Sequence, residues 1–316
     1  MTKRKNSKKT NSSIIAIIII LLSFVYSVFS EEINTSFGLP INNISSNVEK
    51  NKTSKSPNID PQNELDVYFL DVGQADSILI KSKDEYMLIE GGNNNDGPLL
   101  VNYFKSLGIE NFKYIVGTHP HEDHIGGLDD IIDNFNVNTI YIPDAITTTK
   151  TFEDLLDSIE RKNLTYNVPK IDSTFYLGEA KFKVIYTSTN TSDLNNTSIV
   201  LKMTYGNKSF LFTGDATSKT EKIIENKDIK ADILKVGHHG SKYSSTDNFL
   251  EKVDPKYAII SVGKKNIYNH PEKTTLSKFE EKNIIVYRTD EDGTILAKSD
   301  GTNLNLSTIK TNTDGG

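Results

Sequence analysis

Seven consecutive residues, Thr118-His-Pro-His-Glu-Asp-His124, contain four groups able to ligate a transition metal: His119, His121, Asp123 and His124. Imidazole and carboxylate donors suit zinc, manganese or iron, and the chain has no cysteine to add a thiolate. Three of only six histidines in 316 residues fall inside this stretch, so a chance surface loop explains it poorly. Asp215 follows Phe210-Leu-Phe-Thr-Gly214, where glycine allows a tight turn that can aim a carboxylate across a sheet edge. His238 and His239 end the run Asp232-Ile-Leu-Lys-Val-Gly237. Read as extended backbone, the two neighbours face opposite sides, so one of them binds metal and the other does not. Asn266 and His270 flank a proline turn, and Asp71 to Asp76 and Glu90-Gly-Gly92 read as acidic turns that support the site.

These groups need rigid elements behind them. Phe112 to Thr118 is a β-branched and aromatic run that reads as a strand, and Ile125 to Ile132 turns through two glycines into helical spacing. The metal loop would therefore leave a strand tip, where scaffolds commonly present chemistry. Strands are expected at 66–70, 77–80, 86–89, 139–142, 175–177, 182–186, 198–205, 209–213, 231–236, 257–262, 284–287 and 294–297. Helices are expected at 95–107, 152–161, 217–225, 249–253 and 277–282. Strands clustered between helices point to two β-layers covered by helices rather than one parallel sheet.

The ends of the chain read differently. Residues 1–13 carry five basic residues and no acid, and the apolar run Ile14 to Phe29 follows. That is the layout of a signal peptide or an N-terminal membrane anchor over residues 1–30, which would put the remainder outside the cytoplasm, secreted or tethered at the cell surface. Residues 31–62 are a polar, proline-punctuated linker, 63–309 the folded domain, and 310–316 a frayed tail. Without cysteine there are no disulfide partners, so the domain must bury a real core. Removing the five positive charges of residues 1–30 takes the formal charge from −6 to −11, which disfavours strong nonspecific binding to nucleic acid away from a local basic patch.

In order along the chain, Phe69-Leu-Asp-Val-Gly-Gln-Ala-Asp-Ser77, Glu90-Gly-Gly92, Thr118 to Gly127, Phe212-Thr-Gly-Asp215, His238-His-Gly-Ser241 and Asn266 to Pro271 resemble the metallo-β-lactamase fold superfamily. Within it, the stretch from Leu65 to Ala297 is similar to the β-lactamase-like domain of ComEC-type DNA-uptake proteins, without their membrane channel. The resemblance implies an α+β fold, a four-layer αββα sandwich with two divalent metal ions, zinc or manganese, at one edge. It implies that His119 and His121 hold one metal, Asp123 and His124 the other, and that Asp215 bridges. It further implies His238 as the remaining ligand, with His239 facing substrate. Two departures stand out. No histidine lies between His124 and His238, where Asn196 and Ser198 occupy the region of a common further ligand; and the acidic turn has Glu90 where aspartate is usual, while Ala75 stands before Asp76 where glycine is usual.

The function this resemblance implies is hydrolysis of a phosphodiester, with DNA as one candidate, by a hydroxide formed between two cations. Asp123 would orient that hydroxide. His239, Lys235, Ser241 and His270 would contact developing charge or protonate the leaving oxygen, with Ser241, Asn266 and His270 contacting substrate. The alternatives are hydrolysis of a small or cell-wall substrate (lactone, β-lactam, thioester or phosphorylcholine), or a non-catalytic envelope or competence module.

Overall fold

The computed structural model describes residues 64–188 and 192–309. The candidate signal or anchor, the linker and the tail lie outside the described residues; among those described, no helix is long and apolar enough to cross a membrane.

Period-two alternation builds the architecture. In β2 (Ile78–Ser82) and β3 (Glu85–Ile89), Leu79 and Leu88 face one side, and Ile78, Ile80, Met87 and Ile89 face the other. Both sides are apolar, so the sheet must be covered on both faces. The first sheet runs β15-β14-β1-β2-β3-β4-β5-β6, with β1 at Leu65–Phe69, β4 at Asn111–Val116, β5 at Asn136–Tyr141, β6 at Tyr166–Asn167, β14 at Thr294–Ser299 and β15 at Leu304–Ile309. Its outer face packs on α1 (Gly97–Ser106), α2 (Glu122–Ile125), α3 (Leu128–Asn134) and α4 (Lys150–Arg161) through Leu100, Phe104, Leu128, Ile131 and Leu155.

The second sheet runs β13-β12-β11-β10-β9-β8-β7, from β7 (Thr174–Leu177), β8 (Ala180–Tyr186), β9 (Val200–Tyr205) and β10 (Lys208–Phe212) to β11 (Ile233–Lys235), β12 (Tyr257–Ile260) and β13 (Ile285–Arg288). Phe210 and Phe212 point inward to meet Phe69 and Ile78, whereas Leu211, Leu234 and Ala258 point outward. The outward set meets α5 (Ser218–Ile224), α6 (Asp247–Val253) and α7 (Lys273–Glu281) through Ile224, Phe249, Leu250 and Phe279. A short α8, Thr289–Asp292, joins β13 to β14. Three apolar layers separate four structural ones, which is the expected αββα sandwich. Each large side chain removed from water there contributes about 1.5–3 kcal/mol before the entropy of ordering is counted.

What positions the site is parallel pairing. β3 and β4 run parallel in the first sheet, and β10, β11 and β12 do so in the second. Parallel neighbours end on the same side, so the loops after these strands gather at one edge of the sandwich. A backbone bond from Ile199 N–H to Thr118 O, 2.9 Å, ties the two sheets together there.

Candidate metal centre

The loop after β4 begins with Thr118, whose backbone N–H donates to Glu90 Oε2 at 3.0 Å and whose hydroxyl donates to Glu90 Oε1. With its proton committed to Glu90, the Thr118 oxygen accepts from His119 Nδ1 at 3.2 Å, and His119 Nε2 is left to face the cleft. There it lies 3.0 Å from His121 Nδ1, two ring nitrogens face to face, an arrangement that a proton or a cation between them satisfies. His124 Nδ1 lies 3.1 Å from Glu90 Oε1, so one buried carboxylate orients both the loop backbone and the His124 ring.

Asp215 is the meeting point. Its Oδ2 lies 4.0 Å from His119 Nε2, 3.8 Å from His238 Nε2 and 3.8 Å from His239 Nε2, and its Oδ1 lies 3.3 Å from His124 Nε2. Gly214 before it has φ +50°, and a Cβ there would come within 2.3 Å of Thr118 Oγ1, so the turn has room only for glycine. Asp123 Oδ2 is 3.7 Å from His124 Nε2 and 3.2 Å from His239 Nε2.

The structure corrects the extended-backbone reading of the two adjacent histidines. His238 and His239 are not extended: their φ values are +53° and +52°, and this left-handed turn sends the His239 ring inward. His239 is 2% exposed at its side chain and His238 25%. His239 Nδ1 lies 2.9 Å from the Ser261 carbonyl, which fixes its proton and turns Nε2 toward Asp123. The geometry therefore groups Asp123, His124 and His239 with donor atoms within 4.8 Å of one another, and His238 stands at the mouth beside His270, ring centroids 5.6 Å apart.

Three other expected site residues do not reach the cleft. Lys235, buried at the end of β11, places Nζ 2.6 Å from Asp76 Oδ2 and neutralises that carboxylate instead of meeting substrate. Ser241 is buried, its hydroxyl accepting from Tyr243 N–H and its carbonyl from Thr275. Asn266 spends its side chain on Gly263 O and on both backbone groups of His270, closing its own loop. His270 does line the cleft. Its lining also includes Gln74, Glu122, Asn195 and Tyr268, which sequence reasoning did not single out. Gln74 sits in the Asp71–Asp76 turn and Tyr268 in the Asn266–His270 turn, so position within those motifs was the available signal.

The electrostatics separate two halves. Burial, with the neighbouring His124 charge, pushes His119 well below its ordinary value, and His121 is lowered for the same reasons, so both stand as neutral donors. Burial acts against the charged form at His124 and His239 too, but the carboxylates of Asp215 and Asp123 outweigh it and push both up. Asp123 and Asp215 are held well below the usual carboxylate range, again against burial, with His124 the strongest opposing influence. A divalent cation fits this donor set. Among the described residues, His124 Nε2, Asp215 Oδ1 and Asp76 Oδ1 are buried without a hydrogen-bond partner, and partnerless buried groups of this kind at one edge are what metal coordination satisfies.

Comparison with known proteins agrees with this geometry. A family model described as the metallo-beta-lactamase superfamily matches residues 70–264. The chain is 30% identical over 260 residues to ComE operon protein 3 of Bacillus subtilis (strain 168), covering 76% of this chain and 33% of that one. It is 26% identical over 246 residues to Competence protein ComA of Neisseria gonorrhoeae, covering 77% and 33% respectively. It thus spans about one third of the length of these relatives, and its likeness to ComEC-type competence proteins holds over that third. Among solved structures, the metallo-beta-lactamase fold protein YhfI from Bacillus subtilis superposes with a TM-score of 0.52 at 12% identity, covering 74% of this chain and all of that one. With the sandwich, the metal loop and the family match in agreement, the chain belongs to the metallo-beta-lactamase superfamily.

Proposed function

We propose that this cleft is the active site of a metal-dependent hydrolase that cuts phosphodiester bonds. The observation that carries the reading is the convergence on Asp215 of His119, His124 and His239, imidazoles from both sheets, with His121 3.0 Å from His119 and Asp123 beside the other two. His119 and His121 would hold one divalent cation, Asp123, His124 and His239 a second, with Asp215 shared between them. Zinc or manganese, when bound, would polarise a phosphoryl oxygen and lower the pKa of water beside it.

The chain's own groups do the remainder. Thr118, Glu90 and Ser261 fix the three ring orientations, so that little reorganisation is needed when substrate arrives. Asp123, held ionised, serves as a hydrogen-bond acceptor toward the attacking nucleophile. His238 and His270 stand at the mouth, ring centroids 5.6 Å apart; His238 would protonate the leaving oxygen, and His270, its pKa pushed down by burial and by the neighbouring histidines, would contact substrate as a neutral imidazole. Tyr268 lies against His270, ring centroids 5.9 Å apart at 25°, and Tyr243 and Tyr268 are exposed. Lys242 neighbours Tyr243, and Lys264 and Lys265 share the loop that carries Tyr268. In an otherwise acidic chain, lysines this close in sequence to cleft residues support a polyanionic substrate, and relatives named as competence proteins support DNA. The basic and then apolar N-terminal sequence supports action outside the cytoplasm, secreted or tethered.

The test is release of nitrophenolate from bis(p-nitrophenyl) phosphate, and of nucleotides from linear DNA, by the full chain with Mn²⁺ or Zn²⁺. Product from either phosphodiester supports the reading. Turnover confined to a lactone or β-lactam would overturn it.

A further inference from the structure

One residue of the cleft carries a side-chain oxygen whose use the metal loop does not explain. Asn195 lies in the short turn Leu194–Thr197 before β9 and lines the cleft with His121, Asp215 and His238. Its side-chain Oδ1 is buried and has no hydrogen-bond partner among the described residues. The residue is nonetheless held firmly. Its N–H donates to Asp193 Oδ1 at 3.1 Å, and its carbonyl accepts from Ser198 N–H at 3.2 Å and Ser198 Oγ at 2.7 Å. Ser198 Oγ in turn accepts from the backbone N–H of Asp215 at 3.1 Å, so this turn and the Asp215 turn are positioned together.

The adjacent asparagine is already committed. Asn196 Oδ1 accepts from the Thr217 and Thr220 hydroxyls, at 2.6 and 3.0 Å, and its amide donates to Asp193. Of the two neighbours, then, Asn196 braces the fold, while Asn195 lines the cleft and keeps its Oδ1 uncommitted among the described residues. The donor sets are also unequal. In the two-metal reading, Asp123, His124 and His239, with donor atoms within 4.8 Å of one another, would give one position four protein donors together with Asp215, whereas His119, His121 and Asp215 would give the other three, and no histidine between His124 and His238 can complete it.

We propose that Asn195 Oδ1 is the fourth protein donor at the His119–His121 position, and that it tilts that position toward manganese. This rests on the two-metal reading above. A carboxamide oxygen is a hard, neutral donor of the kind manganese accepts readily, whereas an imidazole there would favour zinc. Substituting oxygen for nitrogen does not abolish zinc binding, but it narrows zinc's advantage at one of the two positions.

The experiment is a metal titration of the full chain, kept in mild detergent and stripped with chelator. Bound Mn²⁺ is followed by loss of the aqueous Mn²⁺ electron paramagnetic resonance signal, and Zn²⁺ is then added as competitor. The parent is expected to take up two Mn²⁺, and Asn195→Ala to weaken one of the two by about tenfold or more, in line with loss of a ligand-supporting group. Asn195→His is expected to recover the weakened position for Zn²⁺ and raise its zinc-over-manganese preference at least tenfold above the parent. Because Oδ1 makes no bond among the described residues, the metal-free melting temperature of Asn195→Ala should match the parent. Two Mn²⁺ bound equally tightly by parent and Asn195→Ala overturns this inference alone. A parent that binds no metal overturns the two-metal reading with it.

Discussion

At the residue scale, the metal loop was legible because four donors lie within six residues and their backbone leaves a strand. Asp215 was legible because a strand, a glycine and an acid stand in line. The pair His238 and His239 was not, since its roles depend on two left-handed residues that no periodicity announces. We therefore expect His239→Ala to lose one metal equivalent by elemental analysis, and His238→Ala to keep both while turnover falls by about 10²-fold, the usual size of a general acid's contribution. Loss of metal from His238→Ala with full content in His239→Ala would contradict the geometry. Lys235 misled for a related reason. Its partner Asp76 is far away in sequence, and only the packed structure shows that the two neutralise each other at 1% exposure each. Lys235→Met strands the Asp76 charge and should cost about 3–5 kcal/mol in urea unfolding. A loss below about 1 kcal/mol would mean that the pair carries little.

At the element scale, most strands declared themselves by alternation, and α4 by Phe152, Leu155 and Ile159 on one face. β6, two residues long, offers too little pattern to detect, and β15 alternates Leu304 and Leu306 at a chain end where fraying is the usual expectation. The outer helices are joined by a contact equally hidden from local pattern. Glu221 of α5 accepts backbone N–H bonds from Ser245 and from Thr246, the latter at 2.9 Å, just before α6. Burial pushes its carboxyl up despite these bonds. The folded chain thus keeps this proton to higher pH than the unfolded chain does. The stability it contributes is fully present below the unfolded carboxylate value of about 4.3 and is lost as pH rises through the folded value. Glu221→Gln cannot ionise, so the stability of the parent relative to this variant should fall as pH rises above the unfolded carboxylate value of about 4.3. A gap that widens in the parent's favour with rising pH would contradict the assignment.

At the scale of the whole molecule, the αββα sandwich was legible as a class because strands came in clusters with helices between them. The order of strands within each sheet was not, since it depends on pairings such as β1 with β14, more than two hundred residues apart. That pairing extends the first sheet through β14 to β15, and parallel pairs elsewhere in the two sheets bring their loops to one edge. Everything proposed for function depends on that edge acting as a single metal-dependent centre. The measurement that tests it most directly is phosphodiester turnover by the full chain across a Mn²⁺ titration, beside the double variant His121→Ala, Asp123→Ala. We predict that turnover in the parent rises with metal, that chelator abolishes it, and that the double variant loses it by at least about 10³-fold while remaining folded. Equal turnover in the double variant, or turnover that survives chelation, would contradict a metal-dependent hydrolase at this cleft.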